Sequence, residues 1–418
     1  MTTHLTPPKG KIAPVNKPEI LFSPIRIGAM ELKNRIVMPA MVLGLNEEQA
    51  QAFYVERARG GAGAVITAAV DVDALTKKEG FGRTISLDDY LSALPRLAEA
   101  VHQAGAKVGF QLISAMPPPW NILQDVVEGR SSIYGRVKAI KKGLPQVSDQ
   151  ALPEGKKPFD DFSVEDIKAT VDQVAQATAL VKAAGFDFVE YHACHTHFSL
   201  LCQAFSPLSN HRRDRYGGDL SGRMRLGLEC MAAARATVGV GYPLSYRLPA
   251  LEGEPGGITL EDAIAYAVEL ERMGVSIIHV SVGPSLSASP LPKEPMGTYA
   301  HLAEAGKQHV NIPVIAVGRI NTPEVAEAIL RDGRANLVAI GRQLIADPFW
   351  PRKAAEGHAD EIVACDSCSR CYGAIGHVSV KPGTPICRLN PRAGREGEQP
   401  EAVSPGLQKT KQVRKGGR

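Results

Sequence analysis

Eight short apolar runs, most followed by a helical pattern, are the feature that most narrows what this chain can become. The runs are RIVMPA (35–40), AVITAA (64–69), KVGFQLI (107–113), FDFVEYH (186–192), PLSYRLP (243–249), SIIHVSV (276–282), PVIAVG (313–318) and NLVAIG (336–341). Most are rich in Val and Ile and bounded by Gly, Pro or polar residues, as buried parallel strands are. Between them, 164–184 repeats Ile167, Val171, Val174 and Val181 at helical spacing, an inward apolar stripe. Segments 88–104, 260–273 and 322–332 read alike. The last opens on Thr322-Pro323, an N-cap followed by proline at the first helical position. Eight strand–helix units predict an α/β fold, a (β/α)8 TIM barrel, with a doubly wound open sheet as its rival.

The length of 418 residues suits such a barrel with insertions, and 44% hydrophobic content permits a large core. The net charge of +4 is small and scattered. The one basic run, KTKQVRKGGR, reads as a solvated tail, so no nucleic-acid partner is expected. The first twenty residues carry no apolar h-region, and no window approaches ~20 apolar residues. No membrane partner and a cytoplasmic location are therefore expected. Residues 1–20 read as an extension and 21–358 as the barrel. Within it, 114–163 is a Pro- and Gly-rich connection after the third strand, too long for an idle loop and placed to act as a lid. A cysteine-rich segment (359–395) follows, then a patternless tail (396–418) read as linker or disordered.

Four of the seven cysteines crowd one segment. Cys365, Cys368 and Cys371 follow C-x₂-C-x₂-C, and fifteen residues separate the third from Cys387. In a reducing compartment such a cluster means metal before disulfide. Three thiolates on one tight loop with a fourth returning suit a [4Fe–4S] cubane with one cysteine per iron. Structural zinc, which more often uses two separated pairs, is the alternative.

Strand ends supply the other candidates. Gly318 and Gly341 close the last two runs, where backbone can approach a ligand without side-chain obstruction, and Arg319 and Arg342 add positive charge. In barrels these loops commonly bind phosphate. Gln111 offers a donor and an acceptor near the end of the third strand. Arg247 offers a fixed cation at the end of the fifth, able to stabilise negative charge on a ligand. The plain readings are terminated strands, a buried amide and a barrel-end ion pair.

Four segments together resemble the old yellow enzyme family of flavin-dependent oxidoreductases: 21–41, QAFSPLSNHRRDRYGGDLSGRMRL (203–226), AVGRINTPEVAEAILRDGRANLVAIGRQLIADP (316–348) and the cysteine segment ending CRLNPRAGRE (387–396). The last is similar to the iron–sulfur branch that includes 2,4-dienoyl-CoA reductase and trimethylamine dehydrogenase. The resemblance implies a bound FMN contacted by Gln111 and Arg247, with Pro39, Ala40, Met41 and Ala69 lining its ring. It also implies that His192 and His195 hold a substrate carbonyl oxygen, while His197 falls where most members have a proton-donating tyrosine. Zinc binding is the rival reading of this histidine triplet, although no carboxylate lies within it.

The departures are specific. No histidine or aspartate stands in VSVGPSLSASP (280–290), where the two relatives place a catalytic residue, and Val42 gives no polar side chain near the ring. The expected activity is an ene-reductase acting on a small-molecule α,β-unsaturated carbonyl. An amine dehydrogenase or N-demethylase and a non-catalytic relay subunit are the alternatives. The relatives continue into a pyridine-nucleotide domain, and no G-x-G-x-x-G follows a late strand before Arg418. A separate electron-donor protein, a flavoprotein reductase or ferredoxin-like carrier, is therefore expected. A homo-oligomer is compatible with the sequence.

Overall fold

The computed structural model describes residues 18–77, 84–114, 159–194, 199–282, 295–368, 370–373 and 385–398. Most of the expected 114–163 lid lies outside them. Eight parallel strands close into a barrel: β1 (Ile36–Met38), β2 (Ala64–Ile66), β3 (Lys107–Ile113), β4 (Phe188–His192), β5 (Leu244–Pro249), β6 (Ile277–Ser281), β7 (Val314–Ala316) and β8 (Leu337–Ala339). Each pairs with its neighbours, and β8 pairs with β1 through Val338↔Ile36 and Ala339↔Val37, which closes the ring. The open-sheet rival is thereby excluded. Longer helices flank the strands: α1 (Glu47–Arg59), α2 (Leu87–Gln103), α3 (Val164–Ala183), α4 (Leu220–Val238), α5 (Leu260–Arg272), α6 (Ala300–Lys307), α7 (Pro323–Arg331) and α8 (Trp350–Glu356). No described helix is long and apolar enough to cross a membrane.

Their starts are chemically marked. Asn46, Ser163 and Thr259 form capping boxes with Gln49, Asp166 and Asp262, satisfying amide donors that the first helical turn leaves open. Thr322 accepts from the Val325 amide ahead of Pro323, as its sequence position predicts. In α3, Ile167, Val174 and Val181 are buried, while Val171 is only partly covered.

The strands alternate rather than burying uniform apolar runs. Val189, Tyr191, Leu244, Tyr246, Leu248, Ile278 and Val280 face the helices. Two hydroxyl pairs tie strand to helix there: Tyr191 with Thr178 at 2.8 Å and Tyr246 with Tyr266 at 2.9 Å. Gly227 on α4 leaves the space that the Tyr266 hydroxyl fills, since a Cβ would come within 1.8 Å of it. Val37, Ala64, Ile66, Phe188, Ile277, Ile315, Leu337 and Ala339 face inward as a second apolar core. A hairpin of Ile25–Ile27 and Met30–Leu32, unread in the sequence, contributes Ile27, Met30 and Leu32 to that inner core. It closes the N-terminal end of the barrel, where the Ala29 amide bonds to Gly241 O and Lys33 to Gly105 O. With that end plugged by hydrocarbon, polar side chains on the inner face gather toward the other.

Candidate active site

Three polar side chains converge inside the barrel on one carboxylate. Glu190, fully buried on β4, accepts from Gln111 Nε2 at 2.7 Å through Oε1. Its Oε2 accepts from Ser245 Oγ at 3.1 Å and from His279 Nδ1 at 2.8 Å. Burial opposes the charge, but His279, Arg247 and the Gln111 hydrogen bond outweigh it and hold the carboxyl below its usual range. The alternation of each strand produces this convergence. Gln111 pairs in register with Glu190, and Glu190 with Ser245; His192 pairs with Arg247, and Arg247 with His279.

The residues expected around the flavin fall at one mouth. Arg247 Nη1 donates to Ala40 O at 3.4 Å, which joins the fifth strand to the Pro39–Met41 segment. A Cβ at Gly341 would stand 3.1 Å from Met41 Sδ and 3.4 Å from Pro39 Cγ, so the β8 loop closes onto the same segment. Ala69 is buried just before Val70–Asp71, a two-residue strand that pairs with Leu112 and Ile113 beside Gln111. Gly318 has φ +112°, and a Cβ there would meet Tyr299 at 2.7 Å. The next residue, Arg319, holds φ +50° without being glycine. Such strain persists where the surroundings over-determine it, often at ligand sites.

This mouth fits an FMN. Thr67 Oγ1 and Ser114 Oγ, just past β2 and β3, and Arg247 Nε and His279 Nε2 are buried polar atoms with no hydrogen-bond partner among the described residues. Buried polar groups are rarely left so, and these lie on or just after strands that also carry Gln111 and Arg247. The pattern is that of a site whose remaining partner is a polar ligand.

His192 ends β4, 8% exposed on the inner face beside Arg247. Its backbone is fixed by Ser199 Oγ, which donates to His192 O at 2.6 Å. His195 and His197 lie outside the described residues. Cys194 turns inward instead, its thiol donating to Arg247 O at 3.1 Å, and burial pushes that thiol up to about 12.

The four clustered cysteines come together. Cys365, Cys368, Cys371 and Cys387 line one small cavity with Arg342, Ile345, Asp366, Arg370 and Leu389. Arg342, expected at the phosphate, therefore also faces the thiols. Burial pushes the Cys371 thiol up to about 11; Arg342 opposes the rise, and the other three cysteines add to it. Ser367, between the first two cysteines, holds φ +57°. It and Arg319 are the two non-glycine residues with positive φ among the described residues, one on each candidate cofactor loop. Among the described residues, no three His, Cys, Asp or Glu side chains converge as ligands of a single ion would.

The cysteine segment is stitched to the β7 and β8 loops. Gln343 accepts from the Cys365 amide at 2.8 Å and donates to Val363 O at 2.9 Å. Asn321 Nδ2 donates to Cys365 O at 3.3 Å, while Asn390 Nδ2 donates to Ile345 O at 2.9 Å. Glu396, assigned by the sequence to the patternless tail, is buried against Arg57 of α1. The described residues thus run past 395, and Glu396 gives the buried guanidinium its counter-charge.

Glu190, Ser245 and His279 were not anticipated as site residues. Their signal was available: each is a polar residue between two apolar neighbours, in VEYH, LSYR and IIHV, and period-2 alternation sends all three to the inner face. Comparisons with known proteins agree with this geometry. Residues 20–361 match the sequence profile of the NADH:flavin oxidoreductase / NADH oxidase family. An NADH oxidase of Thermoanaerobacter brockii is 39% identical over 90% of this chain and 56% of its own length. A cinnamate reductase of Clostridium sporogenes is 29% identical over 95% of this chain and 60% of its own length. The structure of histamine dehydrogenase from Rhizobium sp. 4-9 superimposes with a TM-score of 0.74 at 25% identity, covering 91% of this chain and 53% of that one. The chain thus spans little more than half the length of these relatives. With the barrel closed, the mouth assembled and 20–361 matched, the chain belongs to the NADH:flavin oxidoreductase / NADH oxidase family.

Proposed function

We propose that this flavin-dependent oxidoreductase is an ene-reductase for α,β-unsaturated carbonyl compounds, with a [4Fe–4S] cluster in the cysteine cavity. The observation that carries the reading is the inner-face placement of His192 beside Arg247, above the Gln111–Glu190 network, at the mouth where the loops after β1 and β8 meet. FMN, when bound, supplies a hydride to the β-carbon of the substrate. Gln111 and Arg247 bind and orient its polar edge. His192, with His195 three residues on, donates to the substrate oxygen, where negative charge builds as the β-carbon is attacked. A donor fixed at that oxygen is worth ~10²–10³ in rate, because it needs no reorganisation as charge develops. His197 is the proposed proton donor to the α-carbon; an imidazole in that role contributes ~10²–10⁴.

The cluster would be held by Cys365, Cys368, Cys371 and Cys387, and it supplies one-electron transfer. Four thiols lining one cavity, three from a C-x₂-C-x₂-C run and one returning, support a cubane with one cysteine per iron over structural zinc, which more often uses two separated pairs. The cinnamate reductase relative supports reduction of an activated alkene. The histamine dehydrogenase likeness favours the second reading, oxidation of an amine at the same flavin.

The deciding test is a His192→Ala, His195→Ala double variant assayed anaerobically with a simple enone. The expected loss is at least ~10²-fold in turnover, with FMN content unchanged. Parental enone turnover in the double variant would refute the assignment. Bleaching of the flavin by tertiary amines, with no reoxidation by enones, would shift the reading to amine dehydrogenation.

A further inference from the structure

Glu190 belongs to none of the roles above. It does not sit where a substrate would, yet it is the acceptor on which Gln111, Ser245 and His279 converge. An ionised carboxylate only accepts hydrogen bonds, so chemistry alone dictates which end of each partner faces it. Gln111 must turn its NH₂ group toward Glu190, and His279 must carry its proton on Nδ1. The Gln111 amide then cannot flip. One N–H and the carbonyl oxygen remain for a ligand, a side-by-side donor and acceptor. That pair complements the imide edge of an isoalloxazine, where an N–H lies beside a carbonyl.

Charge gives Glu190 a second effect. Arg247 stands two residues beyond Ser245, the register partner of Glu190, on the same inner face, so the carboxylate offsets part of the guanidinium charge presented at the mouth. Glu190 is fully buried and so poorly screened by solvent, and that compensation reaches whatever Arg247 faces.

We propose that Glu190 is a positioning residue for the flavin: it locks the Gln111 amide in the orientation that reads the imide edge, and it tempers the positive charge of Arg247 so that the flavin potential is held down. The proposal rests on the FMN reading and deepens it.

The experiment compares parental protein, Glu190→Gln, Glu190→Asp, Gln111→Ala and the double variant Glu190→Gln, Gln111→Ala. FMN affinity is measured by titrating flavin-depleted protein, and the two-electron midpoint potential by spectroelectrochemistry. Parental protein that takes up no FMN would sink the functional reading itself, which separates the two failures. Glu190→Gln keeps the size of the side chain and removes the charge. It is expected to raise the potential by about 30 mV or more, a tenfold shift of a two-electron couple, and to weaken FMN binding about tenfold. Its effect on affinity should vanish in the Gln111→Ala background, because the two residues act as one unit. Glu190→Asp keeps the charge but withdraws from Gln111, so affinity should fall while the potential stays near parental. Glu190→Gln with parental affinity and parental potential would overturn the proposal. So would an equal loss of affinity from Glu190→Gln with and without Gln111. Should Glu190→Gln not accumulate as folded protein, parental FMN affinity in Glu190→Asp would overturn it instead.

Discussion

The joint between the barrel and the cysteine segment can be loaded at one side chain. Arg57 is fully buried on α1, its Nε donating to Leu344 O at 3.1 Å, its Nη1 to Phe53 O at 3.0 Å, and its guanidinium lying 3.5 Å from the centre of the Phe53 ring. Its charge is balanced by Glu396, 2.5 Å away and equally buried, whose other oxygen accepts from the Gly394 amide at 2.9 Å. Glu396→Ala leaves a buried cation without its counter-charge, a change that costs about 3–5 kcal/mol. A chain of 418 residues has an unfolding entropy of about 0.9 kcal/mol/K at ~2.1 cal/mol/K per residue. Cooperative unfolding would then come about 3–6 °C lower. If only the segment 385–398 is released, protease cleavage near it should accelerate instead while the barrel melts as before. Scanning calorimetry and limited proteolysis read the two cases. Replacing both partners, Arg57→Met with Glu396→Leu, should recover most of the loss, because apolar packing substitutes for a buried pair. A Glu396→Ala protein with parental melting and parental proteolysis would refute the reasoning, for it would mean that the guanidinium is not desolvated.

Three further outcomes follow from the same geometry. Arg247→Ala removes a charged contact worth about 1.5–3 kcal/mol, so FMN should bind about 10–150-fold more weakly by fluorescence titration, with Arg247→Lys between the two. Gln343→Ala strips partners from the Cys365 amide and Val363 carbonyl; iron content after anaerobic purification should fall, while FMN affinity stays within about twofold, since the loss of ~1–3 kcal/mol is confined to the cysteine loop. Burial raises the thiols of Cys194, to about 12, and of Cys202 and Cys230 as well. Iodoacetamide at pH 8 should therefore modify these three only after unfolding, which peptide mass spectrometry will show; rapid labelling of the native protein at Cys194 would contradict it.

How much was legible depends on whether a feature is local or assembled. β3 matches KVGFQLI residue for residue, and α7 begins where Thr322-Pro323 says it should, because local pattern and capping chemistry suffice there. The cysteine cavity was legible from spacing alone. By contrast, the hairpin 25–32 was hidden ahead of the first apolar run, since three-residue strands carry too little periodicity to be seen. Glu190 and His279 were lost in runs read for their apolar residues. A single polar residue in a buried strand looks like an interruption until closure of the barrel brings four such positions to one point. Glu396 was missed for the same reason, its partner being 339 residues away.

FMN uptake tests the central claim most directly. Purified protein stripped of flavin and titrated with FMN should bind close to one equivalent, quench its fluorescence and develop a protein-bound flavin spectrum, and Gln111→Ala and Arg247→Ala should each weaken that uptake. A folded protein that takes up no flavin, or takes it up equally well without either side chain, would contradict the account at its root.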